Sequence, residues 1–402
     1  MRRKQSRTVS IIMLCFMLTV LLSGCWDRTE PKTMALVSSA IYDLKDDGNY
    51  QITVEITNPT TKEATNESTS GKSTSITYMG ENLSIPESGR SISRSIDKSI
   101  FSSHTKVRFL SEKFAKKDVA PVFDYLLRSY HLDENPLLMV IKDEDPSKIY
   151  TCEIGLSETI GGYMESVSKS LPSVSSKCIF VDAREFIKDY YRDGKQPVAG
   201  TVKIVKNKAP SSNTQEESKK EELNIECEGL AAFKDTTLVG FLDGVEVRAY
   251  NFIVNDIKTA LISIPNEIDY TVFMVDRSKS KIETFYKDGE ISAKVSPNVY
   301  LSAIQQGGTI NVTQMDSIKL LQQQLNELLE KELSDTIKKA QTELKSDIFG
   351  FGDSMHIQHP EQWKQLRFNW DEEFSKAKID VKVDSSIRRT GQIKKAFREE
   401  EK

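Results

Sequence analysis

Apolar and polar residues alternate with period two through Tyr50–Thr57 (YQITVEIT), just after a second apolar run, Met34–Leu44 (MALVSSAIYDL). Alternation puts successive side chains on opposite faces of a strand, so both read as β-strands turning at Asp46-Asp47-Gly48-Asn49. Residues 60–75 are almost all Thr, Ser, Lys, Glu, Asn and Gly, which cannot bury a core and read as a loop. The spacing then becomes helical. Ile85, Ile92, Ile96 and Ile100 predict a helix over 84–99, followed by a strand at 106–110. A second helix is expected at 118–129 with Val119, Val122, Phe123, Leu126 and Leu127 on one face, then a strand at 136–141 and a helical run at 156–171. Strands alternating with helices indicate an α/β or α+β unit.

The pattern continues with a strand at 177–181, a helix at 182–191 and a strand at 198–205. Residues 207–222 (NKAPSSNTQEESKKEE) are polar and read as an exposed loop inserted in a small unit. Strands follow at Leu223–Lys234 and 237–241, then a helix at 243–254 with Val247, Tyr250, Phe252 and Val254 as core candidates. Further strands are expected at 259–264, 270–277, 279–287 and 290–303, the third ending in a turn at Lys287-Asp288-Gly289.

The longest helix comes next. Thr313 and Asp316 resemble a capping box, and Ile318, Leu321, Leu325, Leu328, Leu329, Leu333, Ile337, Ala340 and Leu344 form one apolar stripe. Packing of that stripe on the preceding strands is favoured over a coiled coil, because those strands need a cover. Phe349-Gly350-Phe351-Gly352 supplies a stop near Asp347. A helix at 360–374 and a strand at 378–387 complete the chain. The expected fold is α+β (mixed α/β), with a long amphipathic helix on an antiparallel sheet near the C-terminus. The expected division is 25–172, 173–257 containing the loop 207–222, 258–391, and a charged tail at 392–402.

The first residues do not belong to this pattern. Arg2, Arg3, Lys4 and Arg7 precede an apolar run of 15 residues, 8–22, and Leu22-Ser23-Gly24-Cys25 closes it. That is the layout of a bacterial lipoprotein signal, cleaved after residue 24, with Cys25 receiving a diacylglycerol thioether. A signal anchor is disfavoured, since a membrane span needs about 20 apolar residues and this run ends in Trp26-Asp27-Arg28. Acyl chains contribute about 0.8 kcal/mol per buried methylene, so two or three hold a protein stably on a membrane surface.

Composition narrows the function. Losing the four positive residues of the signal takes the formal charge from −4 to −8, which argues against general nucleic-acid binding. The cluster Arg388, Arg389, Lys394, Lys395 and Arg398 reads as a solvated end, with contact to anionic lipid as its alternative. Five cysteines include Cys15 in the signal and Cys25; Cys152, Cys178 and Cys227 stand singly and read as free thiols.

Chemistry finds little support. His356 and His359 are three apart, with no third ligand beside them, so no metal is expected. Ser95-Ile96-Asp97-Lys98 and Ser166-Val167-Ser168-Lys169 match S-x-x-K, and Arg389-Thr390-Gly391 resembles K-T-G, but the S-D-N element of acyl-serine enzymes is missing. There is no P-loop, G-x-G-x-x-G, G-x-S-x-G or H-E-x-x-H. No catalytic residue and no cofactor are expected. Trp363, Phe368, Trp370 and Phe374 read as core with one edge exposed.

Four segments together resemble the Ger(x)C (GerAC-like) spore germination lipoproteins, the C subunits of nutrient germinant receptors. They are Ser23-Gly24-Cys25-Trp26-Asp27-Arg28, residues 106–128 (KVRFLSEKFAKKDVAPVFDYLLR), 229–250 (GLAAFKDTTLVGFLDGVEVRAY) and 345–391, which opens KSDIFGFGDSMHIQHPEQWKQLRFNWDEEF. The likeness spans essentially the whole mature chain; the Ser/Thr-rich segment 60–75 departs from it. It implies a three-domain, non-catalytic lipoprotein on the outer face of the spore inner membrane, beside two integral membrane subunits, A-type and B-type. Cys25 is the one residue to which it gives a defined chemistry. A solute-binding lipoprotein delivering a nutrient to a transporter is the alternative, and a surface hydrolase would require a reactive Ser95 or Ser166.

Overall fold

The computed structural model describes Met13 and residues 33–57, 75–129, 135–143, 145–206, 223–265, 270–306 and 314–389. Apart from Met13, the signal segment 1–24 lies outside the described residues, as do Cys25, residues 60–74, the loop 207–222 and the tail 392–402.

A mixed sheet forms the larger part of the molecule, in the order β10-β9-β8-β6-β5-β1-β2-β3. Its centre is parallel: β1 (Met34–Leu44), β5 (Val107–Ser111), β6 (Leu137–Ile141) and β8 (Val198–Lys206). Antiparallel hairpins extend it at both ends, β2 (Tyr50–Thr57) with β3 (Ser75–Asn82), and β9 (Leu223–Lys234) with β10 (Thr237–Leu242). Two short strands, β4 (Ser99–Phe101) and β7 (Val181–Asp182), pair with β1 and β6. The strands of 25–172 and of 173–257 therefore lie in one sheet.

The sheet is buried on both faces, which is why β6 reads LLMVI without alternation. Leu138 and Val140 face a core shared with α1 (Ile85–Ile92), α2 (Glu112–Lys117), α3 (Ala120–Arg128) and α5 (Ala183–Tyr190). Met139 and Ile141 face a smaller core under α4 (Ile160–Ser170). Four expectations change here. β3 is unexpected, because an edge strand half open to solvent carries few apolar residues. The helix expected over 84–99 stops at Ile92, where Ser93 and Ser95 close turns on the carbonyls of Arg90 and Ile92. Ile100 instead lies in β4. The six-residue α2 begins at an Ser111 cap and carries only two buried residues, too few for a periodic signal. Leu127, expected on the buried face of α3, is 48% exposed.

α6 (Gly244–Val254) follows β10, and its Asp243–Glu246 capping box satisfies the first backbone donors reciprocally. Two small sheets come next. One has the order β11-β12-β15-β17, formed by β11 (Leu261–Pro265), β12 (Tyr270–Lys279), β15 (Asn298–Gln305) and β17 (Asp384–Arg389). It is antiparallel through β15, with β17 added in parallel. The other, β13-β14-β16, is built from β13 (Ile282–Lys287), β14 (Glu290–Val295) and β16 (Lys378–Val381). The runs expected as single strands at 290–303 and 378–387 each pass from one sheet to the other, because Pro297 has no N–H to continue the first ladder.

α7 (Met315–Lys339) covers these sheets with Leu321, Leu325, Leu329, Leu333 and Ile337, each buried and each contributing about 2 kcal/mol. Its polar face works as well. Gln322, Asn326 and Glu330 bond the backbone at Ser385 and Val383, where β16 hands over to β17. Thr313 of the capping box expected at its start lies outside the described residues; the N-cap is Gln314, which makes no side-chain cap bond. The helix ends earlier than expected, through a π-turn at Ala340–Leu344 and a left-handed Lys345 (φ 48°). Three further helices complete the chain: α8 (Phe351–Gln358), α9 (Pro360–Leu366) and α10 (Trp370–Lys376).

Candidate functional site

The most elaborate polar arrangement lies where the chain leaves α7. Lys345 reverses the backbone, and the Ser346 hydroxyl donates to the Phe233 carbonyl at 2.6 Å, docking the turn on β9. Asp347 is wholly buried. Its Oδ1 accepts from the N–H groups of Phe349 (3.2 Å), Gly350 (2.9 Å) and Phe351 (3.2 Å). Its Oδ2 accepts from the N–H of Gly352 (2.8 Å) and from Trp370 Nε1 (2.9 Å). The carboxylate thus takes the unpaired first donors of α8 and pins α10 to them. Gly350, expected to help stop the long helix, precedes α8 with φ +84°.

Burial pushes the Asp347 carboxyl up to about 6, against the opposing hydrogen bonds from Gly352, Trp370, Phe351 and Gly350. Five donors occupy the carboxylate, which leaves it no open direction for a metal or substrate.

The loop after α5 closes onto this turn. Gln196 N–H donates to the Asp347 carbonyl (2.8 Å), and Asp353 N–H to the Gly194 carbonyl (3.2 Å). Around them Arg192 pairs with Asp353 at 2.6 Å and Lys195 with Asp189 at 2.7 Å. Burial raises the Asp353 carboxyl although Arg192 and Lys195 act the other way, and burial together with Asp189 raises Glu185. A groove of about 420 Å³ opens above the junction, lined by Lys234, Arg367 and the 73% exposed Phe368. Its cations are already matched, Lys234 with Asp371 (2.9 Å) and Arg367 with Asp193 (3.7 Å).

A second buried carboxylate, Glu55, sits under the opposite face of the sheet. It accepts from Ser39 Oγ (2.8 Å), Ser75 Oγ (2.7 Å) and the N–H groups of Ile160 (2.8 Å) and Gly161 (3.2 Å), which opens α4 on the sheet. Both carboxylates hold helix starts in place. Neither was singled out in the sequence, where an acid two residues before Phe-Gly-Phe-Gly is the only trace of the first.

The residues singled out by sequence are dispersed. His356 stacks on Trp363 with ring centroids 5.8 Å apart, and His359 Nε2 lies 2.7 Å from the Thr284 carbonyl. Among the described residues no group of three His, Cys, Asp or Glu is placed to hold a metal. Ser95 is exposed; Ser166 Oγ donates to the Gly162 carbonyl (3.0 Å), and Lys169 pairs with Glu165 (2.8 Å), not with Ser166. Thr390 and Gly391 lie outside the described residues, and the Arg388 guanidinium stacks over Tyr300 at 3.8 Å. Cys152 and Cys178 are buried, Cys227 is half-buried, and all three are free. Burial pushes the Cys152 thiol up to about 12, while the neighbouring Cys178 and then burial raise Cys227. Trp363, Trp370 and Phe374 are core, and Phe368 is the exposed edge.

This fold and site define an α+β protein in which a large mixed sheet and a helix-covered pair of small sheets are locked together through a buried carboxylate. Two family models match the chain, and the boundary between them falls inside the large sheet, between β8 and the middle of β9. One described as "Spore germination protein N-terminal domain" matches residues 27–204, and one described as "Spore germination B3/ GerAC like, C-terminal" matches residues 228–391. The chain belongs to the GerAC-like family of spore germination proteins. It is 23% identical over 398 residues to "Putative spore germination protein YfkR" of Bacillus subtilis (strain 168), covering 97% of this chain and 99% of that one. It is 25% identical over 405 residues to "Spore germination protein A3" of the same organism, covering 95% and 98%. The crystal structure of the GerBC protein superposes with a TM-score of 0.51 at 20% identity, over 86% of this chain and 96% of that one, a likeness of fold.

Proposed function

We propose that this chain is the lipid-anchored, non-catalytic subunit of a spore nutrient germinant receptor. It acts beside the A-type and B-type membrane subunits on the outer face of the spore inner membrane, with Cys25 carrying the lipid. Membership of a spore germination family across 27–204 and 228–391 carries the reading. The use of both buried carboxylates as internal fasteners supports a scaffold role, since neither has a direction left for substrate. Among the described residues no helix is long and apolar enough to cross a membrane.

The test is nutrient-triggered dipicolinic acid release from spores lacking other germinant receptors and carrying the wild-type chain, a deletion, or Cys25→Ala. Loss of the nutrient response in both mutants, with non-nutrient triggers intact, is the expected result. Normal nutrient germination of the deletion strain overturns the proposal.

A further inference from the structure

Among the described residues, β11 is the outer strand of its sheet and pairs only with β12. Val275 N–H donates to the Ala260 carbonyl at 2.8 Å, which sets the phase of the ladder. Residues 260, 262 and 264 turn their backbone groups toward β12; Leu261 and Ser263 turn theirs outward. The Leu261 carbonyl accepts from Arg248 Nη1 (3.0 Å). Among the described residues, the N–H of Leu261 and both backbone groups of Ser263 have no partner.

These open groups border a groove of about 470 Å³ between the 174–177 loop, the first turn of α6, and α7 at Leu328 and Glu332. Three apolar residues lining it are exposed: Val174 (66%), Val245 (43%) and Leu261 (52%). Arg248 and Glu332 form a two-toothed ion pair at 2.6 and 2.8 Å, which leaves Lys177 as the groove's cation without a carboxylate among the described residues. β13, the outer strand of the neighbouring sheet, is finished differently. There the Gln358 amide accepts from Thr284 N–H (2.8 Å) and donates to the Ile282 carbonyl (2.9 Å), closing the edge as a strand would. Open ladder groups beside exposed apolar residues are the features by which a sheet edge takes up an extended peptide.

We infer that the groove along β11 receives an extended segment of a partner polypeptide, added to the sheet as a further strand. Its apolar side chains meet Val174, Val245 and Leu261, and an acidic residue meets Lys177. The inference rests on the subunit reading above, which makes the segment a loop of one of the two membrane subunits.

The test places a benzophenone photocross-linking residue at Val245 of the full chain in spores and identifies the cross-linked peptide by mass spectrometry. A cross-link to an A-type or B-type subunit is expected. Ser263→Pro, which removes an outward N–H that the β12 ladder does not use, and Leu261→Lys, which puts a charge on the edge, are each expected to reduce it at least tenfold. If Ser263→Pro lowers the amount of folded chain, Leu261→Lys decides. An undiminished cross-link in the folded variants overturns the inference. So does the absence of any polypeptide cross-link while the membrane subunits still co-isolate with the chain, and in that case the subunit reading stands. A cross-link to some other protein that both variants abolish keeps strand addition and removes the subunit reading.

Discussion

Gly194 and Gly352 stand back to back. A Cβ on Gly194 would lie 2.5 Å from the Gly352 carbonyl carbon, and one on Gly352 would lie 2.5 Å from Gly194 Cα and 2.7 Å from Trp370 Nε1. Backbone faces backbone, so no flexible side chain can yield, and Gly194 also holds φ +87°. Gly194→Ala and Gly352→Ala are each expected to lower the unfolding free energy by about 2–4 kcal/mol, read as a lower urea midpoint. Gly89→Ala in α1, where an added Cβ meets nothing within 4 Å, should be neutral or slightly stabilising.

Asp347 predicts a pH dependence. Its folded value of about 6 lies above the ordinary 3.8, so the native state holds the proton more tightly than the unfolded chain. The stabilisation from this group is complete below about pH 4, is lost as pH rises toward 6, and is absent above. Asp347→Asn should abolish that part of the slope in unfolding measurements between pH 4 and 7. It should also destabilise by roughly 2 kcal/mol at pH 5, because an amide nitrogen then faces the Gly352 and Trp370 donors.

The strands and long helix were legible in sequence because period-two alternation and the α7 leucine stripe record burial directly. Met34–Leu44, Tyr50–Thr57 and Leu223–Lys234 were expected with the bounds they have. What stayed hidden depends on partners distant in sequence. Asp347 looks like any turn acid until Trp370 and Gln196 arrive, and Glu55 looks like a solvent-facing residue of an alternating strand until α4 covers it. The break at Pro297 was readable in principle, since a proline inside an otherwise unbroken run cannot supply the next ladder bond.

The cysteines are expected to be slow. Thiolate is the reactive form, and Cys152 (about 12) and Cys227 are both raised. Native protein mixed with a disulfide reagent such as DTNB at pH 8 should label at Cys152, Cys178 and Cys227 at least a hundredfold more slowly than after denaturation. Prompt labelling of any one of them would contradict the packing around it.

Gln358→Ala uncovers the β13 edge, leaving Thr284 N–H and the Ile282 carbonyl without their partner. A loss of about 1–2 kcal/mol is expected on thermal unfolding, together with faster amide exchange at Thr284. Gln358→Glu keeps the acceptor but not the donor and should recover part of the loss.

The two handovers between the small sheets run side by side. β14 becomes β15 at Pro297 and β16 becomes β17 beyond Lys382, with Lys382 N–H bonded to the Val295 carbonyl (2.9 Å) and Asp384 N–H to the Pro297 carbonyl (3.0 Å). The hydrogen bonding therefore does not lapse where the chain changes sheets, and a two-ply ribbon threads the whole C-terminal part. A pull or twist delivered at one sheet is shared with the other through both plies at once, as in a laminated beam. This part of the molecule should accordingly tilt or translate as one stiff lever.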